Sequence, residues 1–144
     1  MTRFAANLDW LYTEHGDFLD RFAAAAADGF LAVECLNPYA HGQAAIAERL
    51  AELNLKLVLI NAPAGATAEG ERGLACLPGR EADFRASLQQ ALDWALALAC
   101  PRVHVLSGIV PEGITRAELK PLWLSNLRWA AARAAERGLR LCVE

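Results

Sequence analysis

Short apolar runs alternate with longer segments of helical period along the whole chain, and this alternation restricts the fold more than any other feature. The runs are Phe4-Ala5-Ala6, Leu31-Ala32-Val33, Leu55 to Ile60, Val103-His104-Val105-Leu106 and Leu139 to Val143. Gly, Pro and Asn bound them, and several are β-branched. Continuous apolar runs of this kind suit strands covered on both faces, the habit of parallel sheets. Between them, Phe18–Ala27 places Phe18, Phe22 and Ala26 on one stripe, and Ile46, Leu50 and Leu53 form the next. Phe84, Leu88, Leu92, Ala95 and Ala99 run through Glu81–Ala99, and Leu127, Ala131 and Ala134 mark a fourth helix.

The punctuation agrees with four helices. Asp28-Gly29 and Arg137-Gly138 read as C-terminal stops of the first and fourth helices. Thr115-x-x-Glu118 is a capping-box pattern. Pro121 should not sit inside a continuous helix, so a short first turn is expected, then a main helix with Pro121 near its first position. Strand followed by helix, four times over, and then a fifth strand implies an α/β fold with a parallel sheet and right-handed crossovers. A dinucleotide-binding sheet would show a glycine-rich turn after its first strand, where Asn7-Leu8-Asp9-Trp10-Leu11 stands instead. Four such units and a strand extrapolate to roughly 250–290 residues for eight units, the size of a (β/α)8 TIM barrel. The 144 residues are therefore expected to form a single partial barrel domain, about half of one.

Composition narrows the function classes. The chain is 55% hydrophobic and 22% charged, which excludes extended disorder. Its net charge of -3 argues against a nucleic-acid partner, since that needs a clustered basic face. No apolar run approaches the roughly 18–20 residues that span a bilayer, and Met1 to Asn7 has no signal-peptide core, so no membrane association and a cytoplasmic location are expected. Cys35, Cys76, Cys100 and Cys142 lack metal-site spacing and read as small buried hydrophobes rather than a disulfide or metal cluster.

In a barrel, chemistry collects at the C-terminal ends of the strands. Those ends carry Asn7, Glu34, Asn61, His104 with Ser107, and Glu144, polar residues within otherwise apolar runs. Each alone has a structural reading as a satisfied core or rim group; together they suggest a shared polar pocket. Carboxylates, an imidazole and amides suit proton transfer beside a divalent metal, not serine-type hydrolysis. Between the third strand and third helix, residues 62–80 form a long loop whose Glu69-x-Glu71-Arg72 group either reaches over the barrel mouth or belongs to a solvated surface loop.

Several stretches resemble the hydroxypyruvate isomerase family of xylose-isomerase-like barrels. They are Arg3-Phe4-Ala5-Ala6-Asn7-Leu8, Gly29-Phe30-x-x-Val33-Glu34 with Pro38-Tyr39, and Asn61-x-Pro63-x-Gly65. Gly70-Glu71-Arg72-Gly73-Leu74-Ala75-x-Leu77-Pro78-Gly79-Arg80-Glu81 is the most specific, and Asn126-Leu127-Arg128-Trp129-Ala130-Ala131 completes the set. The resemblance implies isomerisation of hydroxypyruvate to tartronate semialdehyde through an enediol, with a pair of glutamates as acid and base, in glyoxylate metabolism. It implies a divalent ion, Mg or Mn, held by Glu, Asp, Gln and Glu. Glu144 matches the first of these glutamates, both catalytic and a metal ligand; the other ligands have no counterpart in this chain. His104 matches a substrate-facing position, and Asn7, Glu34, Asn61, Arg72 and Glu71 are the further substrate-binding candidates. Asn37, before Pro38, departs from the aromatic residue more usual there.

A small keto acid is the expected partner, with 2-oxo-tetronate as the alternative to hydroxypyruvate. Open strand edges in a half barrel predict a homo-oligomer, or else a complementary C-terminal half. An inactive half barrel that only self-associates is the competing reading. A nuclease on the same architecture would need a basic groove and more histidines than His15, His41 and His104.

Overall fold

The computed structural model describes residues 3–144. Five strands, β1 (Ala6–Asn7), β2 (Ala32–Cys35), β3 (Lys56–Asn61), β4 (Arg102–Val105) and β5 (Arg140–Val143), alternate with four helices. These are α1 (Asp20–Ala27), α2 (Gln43–Glu52), α3 (Glu81–Ala97) and α4 (Arg116–Ala135). β1 pairs with β2 and β2 with β3, and β4 pairs with β5, all in parallel, as the alternation predicts. Among the described residues, no helix is long and apolar enough to cross a membrane.

The chain divides into two compact units. One takes in the residues through Ile60 together with Trp94–Pro101; the other takes in Asn61–Asp93 and Arg102–Glu144. In the first unit, Ala6 and Asn7 pair with Val33 and Glu34. Along β3, Val33 faces Leu57 but Glu34 faces Leu59, so Val58 is an extra residue in that strand. The bulge reverses the side-chain alternation, which is why Leu57 and Ile60, three apart, are both buried. The buried interior of this unit includes Phe22, Ile46 and Val33. In the second unit, Arg102 to Val105 pair in register with Arg140 to Val143, and Phe84, Leu88, Leu92, Val103 and Val105 are buried.

All four helices end the same way. Phe30, Leu55, Cys100 and Leu139 each donate their N–H five residues back, to the carbonyls of Ala25, Leu50, Ala95 and Ala134. The preceding residue is left-handed in every case: Gly29 (φ 87°), Asn54 (φ 52°), Ala99 (φ 50°) and Gly138 (φ 67°). This is the glycine-type helix stop, and it delivers the chain directly into the next strand. Gly29 and Gly138 take that conformation without strain, whereas Ala99 does not.

Two expectations for α4 are corrected. Pro121 lies inside a helix that begins at Arg116 instead of starting a separate one. The first turn is held independently: Thr115 Oγ1 accepts the Glu118 N–H at 3.3 Å, Glu118 Oε2 accepts the Thr115 N–H at 2.8 Å, and Leu119 is buried. The capping box thus nucleates a turn that continues across the missing proline donor. The buried face also differs from the Leu127, Ala131, Ala134 stripe: it runs through Leu119, Asn126, Ala130 and Ala134. A buried asparagine is tolerated because its Nδ2 donates to the Ala75 carbonyl at 2.9 Å.

Candidate functional site

At the ends of β3, β4 and β5, three polar side chains join. Asn61 closes β3, His104 lies in β4, and Glu144 follows β5 directly. His104 Nδ1 is 3.1 Å from Asn61 Oδ1, and His104 Nε2 is 3.4 Å from Glu144 Oε2. The Asn61 amide oxygen and the Glu144 carboxylate thus stand at the two ring nitrogens of His104. A carboxylate and an imidazole at this distance can take up or hand on one proton.

The main chain of Glu144 is fixed on both sides. Its N–H donates to the Val105 carbonyl at 3.1 Å, and its carbonyl accepts the Ser107 N–H at 2.9 Å. The carboxylate itself is 75% exposed, while the imidazole is 16% exposed. Ser107 is a hub that sequence reading noted only as a strand-end residue. Its Oγ accepts the Trp123 Nε1–H at 2.9 Å, and its carbonyl accepts the Cys76 N–H at 2.7 Å. A cleft of about 930 Å³ opens beside these groups, lined by Glu144, Ser107 and Trp123 and by the cations Arg116 and Lys120.

In the other unit, Asn7 and Glu34 are direct partners across β1 and β2. Asn7 Oδ1 accepts the Asp9 N–H at 3.2 Å, and Asp9 Oδ2 in turn accepts the Leu36 N–H. Asp9 was not singled out in the sequence; the signal available was its place two residues past a strand-end asparagine. These contacts tie the ends of β1 and β2 together.

The long loop is folded onto itself rather than free. It contains a short 3-10 turn at Thr67–Glu69, and Leu74, Ala75 and Cys76 are buried. Glu71 accepts the Ala66 N–H at 2.6 Å and forms an ion pair with Arg80. The Arg80 guanidinium, followed by the Ala66 hydrogen bond, holds the Glu71 carboxyl below its ordinary value. Arg72 donates to the carbonyls of Thr67 and Glu71, at 3.1 and 2.8 Å. The polar groups of Glu71 and Arg72, two residues expected at the substrate, are engaged in the loop.

Cys35, Cys76 and Cys100 are buried, and none of the four cysteines forms a disulfide. Burial pushes the Cys35 and Cys76 thiols up, so both remain neutral at physiological pH. Among the described residues, no group of three or more His, Cys, Asp or Glu side chains is placed to hold a metal ion. Glu144 and His104 offer two donors, short of the roughly six oxygen ligands a hard divalent cation takes. The residues of this chain do not by themselves fit a closed metal site.

The family model for the xylose isomerase-like TIM barrel matches residues 22–144. Over 144 residues the chain is 51% identical to a 2-oxo-tetronate isomerase of Cupriavidus necator, covering 100% of this chain and 55% of that protein. It is 40% identical to the hydroxypyruvate isomerase of Escherichia coli, again over 100% of this chain and 55% of the relative. Among solved structures, one from Brucella melitensis described as an AP endonuclease, family 2, superposes with a TM-score of 0.94. That protein is 44% identical, and the match covers 99% of this chain and 55% of the other. The chain spans about half the length of the curated relatives it matches.

Proposed function

The chain belongs to the xylose isomerase-like TIM barrel family, and from that premise we propose that its protein isomerises a small 2-keto acid. The main reading is interconversion of hydroxypyruvate and tartronate semialdehyde. The observation that carries it is the Asn61–His104–Glu144 chain at the ends of three consecutive strands. The reaction needs a base that removes a proton from C3 of the keto acid and returns one at C2. A carboxylate beside an imidazole provides such a base and a proton relay between the two oxygens. Glu144 is assigned as the base, His104 as its partner and a substrate contact, and Asn61 as the group that orients His104. Asn7 and Glu34 are assigned to the substrate as strand-end polar residues. Arg116 and Lys120, lining the same cleft as Glu144, supply positive charge toward a carboxylate-bearing substrate.

A divalent ion, Mg or Mn, belongs to this reading only with Glu144 as one ligand among others that the described residues of this chain do not supply. A second reading, 2-oxo-tetronate as substrate, is supported by the 51% identity to the Cupriavidus necator enzyme. The two acids share the same C2 carbonyl and differ by one hydroxymethyl group at C3, so one proton transfer serves both. An endonuclease reading has little support in a chain with 14 Lys and Arg against 17 Asp and Glu.

Turnover of both acids with added Mg²⁺ or Mn²⁺, alongside Glu144→Gln, tests the proposal. Metal-dependent isomerisation that the substitution abolishes is expected, and the ratio of kcat/KM for the two acids identifies the substrate. Full turnover in Glu144→Gln would remove Glu144 from the role of base.

A further inference from the structure

We infer that the Glu71–Arg80 pair is a positioning device for Glu144, acting through the main chain of Ser107; this rests on the reading of Glu144 as the base. The chain of contacts is continuous and lies in one unit. Glu71 closes the first half of the long loop by accepting the Ala66 N–H, and it approaches so closely that a Cβ at Gly65 would stand 2.1 Å from its Oε2. Arg80 closes the second half and is itself paired with Asp83 in the first turn of α3, which ties the latch to a helix. Both ends of the segment between them are thereby fixed.

That segment is the part of the loop that touches the chain just past β4, at Leu106 and Ser107. Gly73 donates its N–H to the Ala64 carbonyl at 2.9 Å and forms an antiparallel bridge with Ser107. The approach is available only to glycine, because a Cβ at Gly73 would lie 2.2 Å from the Leu106 carbonyl oxygen, and φ there is 117°. Cys76 then donates its N–H to the Ser107 carbonyl at 2.7 Å. Ser107 spends its carbonyl on the loop and its N–H on the Glu144 carbonyl, so the peptide groups flanking its Cα link loop and base. Trp123 fixes the Ser107 side chain from α4. A loop released at Glu71 no longer holds the Ser107 carbonyl, and the main-chain anchor of Glu144 loosens with it.

Two roles for Glu71 make different predictions. A substrate contact would change KM, and a purely local loop staple would affect only its own loop. Amide hydrogen exchange on this chain separates them. In Glu71→Gln, positioning predicts exchange roughly tenfold faster at the Cys76 and Ser107 amides, with the Ala130 amide in α4 unchanged. Acceleration confined to Ala66 and Gly73, with Ser107 unchanged, overturns the inference. Should Glu71→Gln unfold the chain, Arg80→Lys keeps the charge but loses the planar fork. It should accelerate the same two amides by a smaller factor, and no acceleration at Ser107 there is equally contrary. In the active protein, Glu71→Gln should lower kcat about tenfold with KM unchanged, the signature of a misplaced group. A raised KM with unchanged kcat would make Glu71 a substrate contact instead. Loss of activity in Glu144→Gln is the separate test of the base, so failure of either idea is visible without the other.

Discussion

His104 Nε2 lies 3.4 Å from Glu144 Oε2 while its other nitrogen is held by Asn61, so the imidazole is oriented from behind toward the carboxylate. In the proposed reaction this contact would aim His104 at the base, with Asn61 fixing the ring from its other nitrogen. His104→Asn should reduce kcat by about a hundredfold. Asn61→Leu should act in the same direction more weakly, since the ring stays but loses its orientation. Steady-state kinetics on both variants check this; a His104→Asn enzyme with wild-type kcat would reject it.

Ala99 carries strain that its three counterparts do not. It holds a left-handed conformation at φ 50°, where the first and fourth helices use glycine and the second uses asparagine. Ala99→Gly is expected to stabilise the chain by about 1 kcal/mol, the left-handed penalty being offset in part by the extra freedom of glycine in the unfolded state. Urea unfolding midpoints of the two proteins decide it.

Asn126 is buried on α4 and pairs with the Ala75 carbonyl of the long loop. Asn126→Leu leaves that carbonyl without its donor and should cost about 1–3 kcal/mol despite the apolar gain. Thermal unfolding of the variant tests this; an unchanged or raised Tm would mean the amide contact is expendable.

Acid should weaken the Glu71 latch. Its carboxyl is held below the ordinary value of 4.5 by Arg80 and the Ala66 N–H. A carboxyl lowered in the folded state contributes stability that is complete above the unfolded value and is lost as pH falls through the folded one. The stability difference between the wild type and Glu71→Gln should therefore be largest near neutrality and shrink below pH 4.5. A difference independent of pH would contradict the assignment.

The alternation of strands and helices was legible because apolar runs and helical stripes are local properties of the chain. So were the stops at Gly29 and Gly138 and the capping box at Thr115, each written within a few residues. Ala99 was not legible as a helix stop, since nothing about alanine asks for a left-handed turn; the Cys100 N–H bond to the Ala95 carbonyl closes it in the fold. The α4 face was read out of phase because Asn126 looks like a surface residue until its partner, Ala75, is brought to it by the fold. The Val58 bulge left no mark in a run of apolar side chains. At the candidate site, Asn61, His104 and Glu144 stood out as polar groups within apolar runs. The Glu71–Arg80 pair and the Ser107 hub did not, because their partners are fixed by the path of a loop that carries no periodicity.

The central claim is that Glu144 moves a proton between adjacent carbons of a keto acid, and isomerisation of hydroxypyruvate in D₂O with Mg²⁺ or Mn²⁺ tests it most directly. Deuterium from solvent should appear at C2 of the aldehyde product, and both product and label should disappear in Glu144→Gln. Product formed without solvent deuterium at C2, at a rate that Glu144→Gln leaves unchanged, would contradict the account.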